Sequence, residues 1–88
     1  MLERRFQVVN PLGLHARAAA KLVRLVNEHR SRVTLRSGSS EANAASILSI
    51  LAMAATHGSV VDVTVDGPDE LITVELIHEL FRTGFGEL

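Results

Sequence analysis

Cysteine, tryptophan and tyrosine are absent from this chain of 88 residues, which contains only three phenylalanines and two prolines. Without cysteine there can be no disulfide, no thiolate catalysis and no cysteine-ligated metal or iron–sulfur centre. So few aromatic side chains provide no platform for stacking nucleic-acid bases. The formal net charge of −1 also shows no excess of basic residues, which a nucleic-acid-binding protein usually has. We therefore expect no nucleic-acid partner.

Long apolar runs are missing as well. The longest, residues 47–55, is interrupted by Ser49 and is far shorter than the ~20 residues that cross a bilayer. Residues 1–5 carry charges of both signs and precede no apolar signal-peptide region. We expect a cytoplasmic protein that does not insert into the membrane. Outside residue 15, the histidines show no metal-ligand spacing, so we expect neither a metal nor another cofactor.

Apolar periodicity predicts the element order β-α-β-β-α-β-α within a single domain, residues 1–88. The predicted strands cover residues 2–9, 32–36, 41–43 and 61–66, and the predicted helices cover residues 16–28, 46–55 and 69–83. We expect the second helix to end near Gly58. The predicted buried stripes are Ala19, Leu22, Val23 and Val26 on the first helix and Leu71, Val74, Ile77 and Phe81 on the last. This order favours an α+β domain, in which a four-stranded antiparallel sheet carries three helices on one face.

The residues before the first helix are the most informative part of the chain. Pro11 and Gly13 break the preceding strand, so His15 lies at or beside the N-cap. Unpaired backbone N–H groups and the positive end of the helix dipole make this position an anion site, and Arg17 adds a planar fork of donors that fits phosphate. The same positive end favours the uncharged imidazole, which can attack phosphorus. The simpler interpretation is a histidine that only caps the helix.

A wider match favours the chemical interpretation. The segment of residues 13–22, Gly-Leu-His-Ala-Arg-Ala-Ala-Ala-Lys-Leu, resembles the active-site signature of the HPr histidine phosphocarriers of the bacterial phosphoenolpyruvate-dependent phosphotransferase system. Residues 45–48, 66–69 and 80–86 are similar to the same family, so the resemblance covers the whole chain. It implies the open-faced β-sandwich of that family.

The resemblance also implies roles for particular residues. His15 would accept a phosphoryl group on Nδ1 from phosphorylated enzyme I and donate it to an enzyme IIA domain, as a stoichiometric carrier rather than an enzyme. Arg17 and the backbone N–H of Ala16 would stabilise the phosphate. The family usually has proline where this chain has Ala18, and we expect the helix to form there because alanine is an excellent helix former.

Ser46 precedes an apolar helical run and is predicted to be an N-cap. The resemblance implies that HPr kinase/phosphorylase modifies the matching serine in many bacteria, which makes Ser46 a candidate regulatory site. A phosphate there would place negative charge near the docking surface and impede a phosphorylated donor.

A shared docking surface for successive partners is expected around His15. Residues 1–44 hold eight of the nine Lys/Arg residues and three acids, so this half of the chain is basic and suited to steering acidic or phosphorylated partners. The candidate partner-binding residues are Leu12, Leu14, Ala20, Lys21, Arg24, Ile47, Leu48 and Leu51. We expect Leu12, Leu14, Ala16 and Ala20 to form an apolar, exposed rim beside His15. Core packing is the alternative for Ile47, Leu48 and Leu51, and a plain solvated face is the alternative for Lys21 and Arg24.

Other functions remain to be distinguished from the sugar phosphotransferase role. The nitrogen-related branch of the same family has a regulatory output, and the sequence does not separate the two branches. A binding module controlled through Ser46, without transfer from His15, is a second alternative. A stand-alone hydrolytic enzyme is a third alternative, which we set aside because the sequence shows no paired carboxylate, catalytic triad or metal constellation.

Overall fold

The computed structural model describes residues 1–88 and contains four strands and three α-helices. The strands are β1 (Leu2–Gln7), β2 (Arg32–Ser37), β3 (Ser40–Asn43) and β4 (Val60–Asp66). The helices are α1 (Ala16–Asn27), α2 (Ile47–Met53) and α3 (Glu70–Arg82), and a 3₁₀ turn follows at Gly84–Gly86. The predicted fold class and element order are confirmed.

The strands form one antiparallel sheet in the order β1-β4-β2-β3. Alternation along β4 directs Val61, Val63 and Val65 into the core, where each is fully buried. The opposite face is polar, and its cross-strand pairs include Arg5 with Asp62 at 2.8 Å. An antiparallel sheet with one solvated face is the arrangement that this alternation favours.

The three helices cover the apolar face of the sheet, with α1 in contact with both α2 and α3. The buried stripe of α1 is Ala18, Ala19, Leu22 and Val26, while Val23 is only partly buried. Ala18 stands where a proline is usual in the family that the sequence resembles. Its side chain is fully buried in the first turn of α1. None of the helices has both the length and the apolar content needed to cross a lipid bilayer.

Two helix predictions need correction. On α3, Leu71 is 63% exposed and Thr73 is fully buried. Residues two positions apart in sequence lie roughly 200° apart around a helix. Burial of Thr73 therefore places Leu71 on the solvent side. The Thr73 hydroxyl tolerates burial because it donates to the backbone oxygen of Asp69 at 2.8 Å. The second helix also ends before Gly58, because Ala54 adopts a left-handed conformation with φ 55°.

Candidate functional site

The loop of residues 10–14 enters α1 by packing its backbone against the segment that follows α2. Gly13 has φ +67°, and a Cβ there would lie 2.6 Å from the carbonyl oxygen of Ala55. The N–H of Leu14 donates to the same oxygen at 2.9 Å. Leu14 is buried in the core, so the prediction that it forms an exposed rim and binds partners is wrong. The loop folds onto the end of α2, and this packing removes Leu14 from the surface.

His15 is the N-cap of α1 and has an extended backbone, with φ −78° and ψ −176°. The N–H of Arg17 donates to its Nδ1 atom at 3.3 Å. Because Nδ1 accepts this hydrogen bond, the proton of the neutral imidazole belongs on Nε2. The Nδ1 lone pair therefore faces the helix N-terminus, where N–H groups and the helix dipole attract anions.

Glu87 lies against the other edge of the imidazole. The Nε2 atom of His15 is 2.6 Å from Oε1 and 2.8 Å from Oε2 of Glu87. The hydrogen bond from His15 is the largest cause holding the pKa of Glu87 below its ordinary value of 4.5, and a hydrogen bond from Asn10 adds to it. The carboxylate is thus an ionised acceptor for the Nε2 proton. The sequence gives no indication of Glu87, since no periodicity or motif links it to a histidine 72 positions earlier.

The last five residues, 84–88, form a tight structure that we call the C-terminal hook. Gly84, Phe85 and Gly86 have positive φ values of 59°, 56° and 76°. For Phe85 this conformation costs about 1–2 kcal/mol. Its ring is buried against Phe81 in an edge-to-face contact with centroids 5.1 Å apart, and its carbonyl accepts a hydrogen bond from the Lys21 ammonium. These contacts hold the hook against α1 and α3.

Asn10 supports the carboxylate from inside the protein. Its side chain is fully buried, and its Nδ2 atom donates to the carbonyl oxygen of Gly13 at 2.6 Å and to Oε1 of Glu87 at 3.3 Å. Its Oδ1 atom has no hydrogen-bond partner. The buried amide connects the loop before α1 to the C-terminal hook.

Arg17 has the most exposed of the side chains that meet at His15. Its side chain is 74% exposed, and its nearest acidic partner is Glu87, with Nε 3.4 Å from Oε2. An exposed ion pair of this kind contributes little to stability. The guanidinium is therefore free to move toward an anion placed at Nδ1 of His15, which is the position that a fork of donors is suited to stabilise.

The remaining sequence-predicted residues divide by exposure. Those at the surface are Leu12, Ala16, Ala20, Lys21, Arg24, Ile47 and Leu48, whereas Leu51 is half-buried against the core. Leu48 is 78% exposed, the highest value among the large apolar side chains of the protein. Lys21 is also tethered to the C-terminal hook through Phe85, a contact that the sequence did not indicate.

Ser46 is the N-cap of α2. Its backbone is extended, and its Oγ atom accepts a hydrogen bond from the N–H of Ser49 at 3.2 Å. Ser49 in turn accepts from the N–H of Asn43 at 2.9 Å through its own hydroxyl. The predicted capping role of Ser46 is confirmed, and its side chain stays half-exposed at the start of the helix.

Comparisons with known proteins agree with this fold and motif. Residues 2–83 match the family model "PTS HPr component phosphorylation site". The chain is 44% identical to the phosphocarrier protein HPr of Xylella fastidiosa strain Temecula1 over 87 residues, covering 99% of this chain and 98% of the relative. It is 42% identical over 85 residues to the phosphocarrier protein NPr of Proteus mirabilis, covering 96% and 94% respectively. Among solved structures, HPr from Thermoanaerobacter tengcongensis superposes with a TM-score of 0.95 at 31% identity, covering 100% of this chain and 99% of that chain.

Fold, motif and similarity together define a small phosphocarrier protein. The chain belongs to the HPr family of the phosphoenolpyruvate-dependent phosphotransferase system.

Proposed function

We propose that this protein accepts a phosphoryl group on Nδ1 of His15 from phosphorylated enzyme I and donates it to a histidine on an enzyme IIA domain. The observation that carries the proposal is the N-cap position of His15, whose Nδ1 accepts a hydrogen bond from the N–H of Arg17. That atom lies at the positive end of α1, the place in the fold best suited to a phosphate.

In the proposed reaction, the Nδ1 lone pair forms a bond to phosphorus while the phosphorus–nitrogen bond to the donor histidine breaks. The electron pair of the broken bond returns to the donor nitrogen. The backbone N–H groups of Ala16 and Arg17 and the Arg17 guanidinium then stabilise the phosphate oxygens. Charge stabilisation by groups already in position is the main contribution that a protein makes to phosphoryl transfer.

Donor and acceptor would dock on the same surface around His15, which we define by Leu12, Arg17, Ile47 and Leu48. Its apolar members are exposed, as a partner-binding surface requires. The exposed cations Lys21 and Arg24 lie on the same helix as Arg17 and would steer negatively charged partners. Two partners that use one surface in turn must bind transiently, so electrostatic steering suits the role.

We further propose that Ser46 is a site of regulatory phosphorylation by HPr kinase/phosphorylase. A phosphate at a helix N-terminus is electrostatically tolerated, and its negative charge would oppose a phosphorylated donor. The similarity to an NPr protein makes transfer in the nitrogen-related branch, with a regulatory output instead of sugar uptake, the alternative assignment of the pathway.

The test is intact-mass analysis after the protein is mixed with phosphoenolpyruvate and enzyme I. We expect one acid-labile phosphate on the wild type and none on His15→Ala. His57→Ala, which removes an exposed histidine from a loop, is the matched control and is expected to behave as the wild type. Phosphorylation of His15→Ala at the wild-type rate would refute the proposal. The assay is then repeated with the enzyme I of the nitrogen-related branch. The enzyme I that phosphorylates the protein faster identifies the pathway.

A further inference from the structure

We propose that the outer side of α1 and α3 binds a second copy of this chain, so that the protein forms a weak two-fold dimer. This inference does not depend on the proposed phosphoryl transfer. It starts from two exposed apolar side chains on α3, Ile72 with 57% and Leu76 with 40% of its surface in solvent. Large apolar side chains that cluster at a surface mark interaction sites.

Contacts at both ends hold α1 beside α3 in opposite directions. In α1, the Lys21 ammonium donates a hydrogen bond to the carbonyl oxygen of Phe85, which follows α3. Beyond the end of α1, the N–H of Arg30 donates to Asp69, which precedes α3, at 2.8 Å. The two helices are therefore antiparallel neighbours. Their outer sides form one surface, which we call the α1–α3 face.

The two flanks of α3 have different surroundings. Glu75 and His78 line a cleft together with Phe6, so this flank of the helix faces β1. Ile72 and Leu76 lie one helical turn apart and are turned toward the other flank, which faces α1. Their exposed side chains therefore border the seam where the two helices meet.

α1 completes an apolar strip along this seam. Leu25 lies one turn after Lys21 and so points to the α3 side of α1, as Lys21 does. Leu25 and Leu80 are half-buried and pack against the core. The apolar strip thus contains two half-buried and two exposed side chains, which are Leu25, Leu80, Ile72 and Leu76.

The helices on the two sides of the strip carry opposite charge. α1 has three cations and no acidic residue, whereas α3 has three glutamates and one arginine. Glu79 follows Leu76 by three positions, so it borders the strip on the α3 side. Arg24 follows Lys21 by three positions and is exposed on the α1 side. One half of the α1–α3 face is basic and the other half is acidic.

A second copy of the chain matches this pattern of charge. A two-fold axis along the seam places α1 of each copy over α3 of the other copy. Arg24 of each copy then faces Glu79 of the other, and the two apolar strips meet on the axis. Such an isologous contact closes after two copies, so it makes a dimer and not a filament. Opposite charges across the contact favour this orientation over one that places α1 on α1.

The size of the α1–α3 face determines how strong the dimer is. Its helices have 12 and 13 residues and are therefore about 20 Å long. Two helices packed side by side about 10 Å apart present a face roughly 20 Å square. This is less than the ~800 Å² per partner that a stable interface buries. We therefore expect a dimer that dissociates readily and forms at high protein concentration.

Sedimentation equilibrium of the full chain measures the association directly. The concentration series ends at about 1 mM, because a dimer with a dissociation constant of about 1 mM contains half of the chains there. We expect the average mass to rise toward that of a dimer. Backbone amide spectra over the same series locate the contact, and we expect concentration-dependent shifts on α1 and α3 but not on β3.

Ile72→Ser and Leu71→Ser form a matched pair of variants. Both replace an exposed apolar residue of α3, and Leu71 is the more exposed of the two. Leu71 lies one turn before Glu75 on the flank that faces β1, so only Ile72 belongs to the seam. We expect Ile72→Ser to raise the dissociation constant by roughly tenfold, because one large apolar side chain no longer contributes to the interface. Leu71→Ser should associate as the wild type does.

Exchange of charges tests the orientation of the two copies. Arg24→Glu and Glu79→Arg should each associate more weakly than the wild type, because like charges then meet across the contact. An equimolar mixture of the two variants should recover the association, since both contacts of the mixed dimer join a cation to a carboxylate. Amide spectra of each variant at low concentration establish that its fold is intact.

A wild type that stays monomeric up to about 1 mM would overturn the inference, and the α1–α3 face would then be left to solvent or to a different protein. A dimer that Ile72→Ser does not weaken would also overturn it. Amide shifts confined to β1 would show that the copies pair through the edges of their sheets instead, which is equally incompatible with the proposed contact.

Discussion

Gly13 and Ala55 touch backbone to backbone, since a Cβ on Gly13 would lie 2.6 Å from the Ala55 carbonyl oxygen. This contact joins the loop that carries His15 to the segment after α2. The position of the site therefore depends on two helices and not only on the one that His15 caps.

Replacing Gly13 by alanine is expected to destabilise the protein by about 2–4 kcal/mol, because the change adds left-handed strain to a backbone clash. Gly38→Ala is the matched control. Gly38 has a similar φ of +60°, but a Cβ there meets nothing within 4 Å, so only the strain of about 1–2 kcal/mol applies. Urea unfolding of both variants measures the difference. Equal losses of stability would contradict the importance of the Ala55 contact.

Arg17→Ala is expected to slow phosphoryl acceptance by roughly 10- to 100-fold, because a charge-assisted hydrogen bond to the transferred phosphate is worth about 1.5–3 kcal/mol. Its stability should match the wild type, since the Arg17 side chain is exposed. Arg24→Ala removes an exposed arginine from the same helix without touching Glu87. A rapid-quench assay with enzyme I compares the two, and equal rates would argue against a specific role for Arg17.

Leu48→Ala is expected to leave stability unchanged and to weaken the apparent affinity for the phosphoryl donor by roughly tenfold, since burying a leucine at an interface contributes about 1.5–3 kcal/mol. Leu71→Ala is the control, because Leu71 is also an exposed helical leucine but belongs to α3. The dependence of the transfer rate on donor concentration provides the measurement. An equal loss of apparent affinity in Leu71→Ala would argue against specific docking of the donor at Leu48.

Ser46→Ala should lower the free energy of unfolding by about 1 kcal/mol, the usual cost of losing an N-cap hydroxyl. Ser46→Asp should preserve stability, because aspartate caps as well as serine and its charge suits the helix dipole. The added charge should nevertheless slow acceptance from a phosphorylated donor several-fold. Ser39→Asp adds the same charge at the exposed turn between β2 and β3 and is expected to transfer normally.

Asp69 makes stability depend on pH. The hydroxyl of Ser31 is the largest cause that lowers its pKa below the ordinary 3.8, followed by the backbone N–H of Arg30. A lowered carboxyl pKa contributes stability that is fully present above pH 3.8 and is lost as the pH falls through the folded-state value. Thermal unfolding should therefore show that Asp69→Asn is less stable than the wild type at pH 7 and that this difference shrinks toward pH 3. A stability difference of the same size at every pH would show that ionisation of Asp69 does not contribute. Glu75→Gln is the control for the loss of a surface carboxylate.

Local patterns predicted the parts of the site that local structure determines. Pro11 and Gly13 break the strand before His15, and Ser46 is a serine directly before an apolar helical run, so the sequence itself indicates both caps. The contact between His15 and Glu87 depends on three successive positive-φ residues, one of them phenylalanine. In a sequence, glycine is the residue that indicates a positive φ. Phe85 gives no such indication, so the direction of the hook could not be predicted.

The two wrong burial predictions share a physical origin in tertiary packing. Leu14 is buried because its loop meets the end of α2, a contact that periodicity within one segment does not encode. Thr73 takes the core position expected for Leu71 because Asp69 satisfies its hydroxyl, and this hydrogen bond removes the usual penalty for burying a polar group.

The strand order has a consequence for how the chain acquires its shape. β1 pairs only with β4, with Leu2 opposite Val65 and Gln7 opposite Val60. During synthesis β1 must therefore wait for β4, the last of the four strands, while β2 and β3 can form their hairpin earlier. Contacts so distant along the chain slow folding, because a long loop must close before they can form. The sheet is completed by a late step, in which β1 joins β4 after β4 has been synthesised.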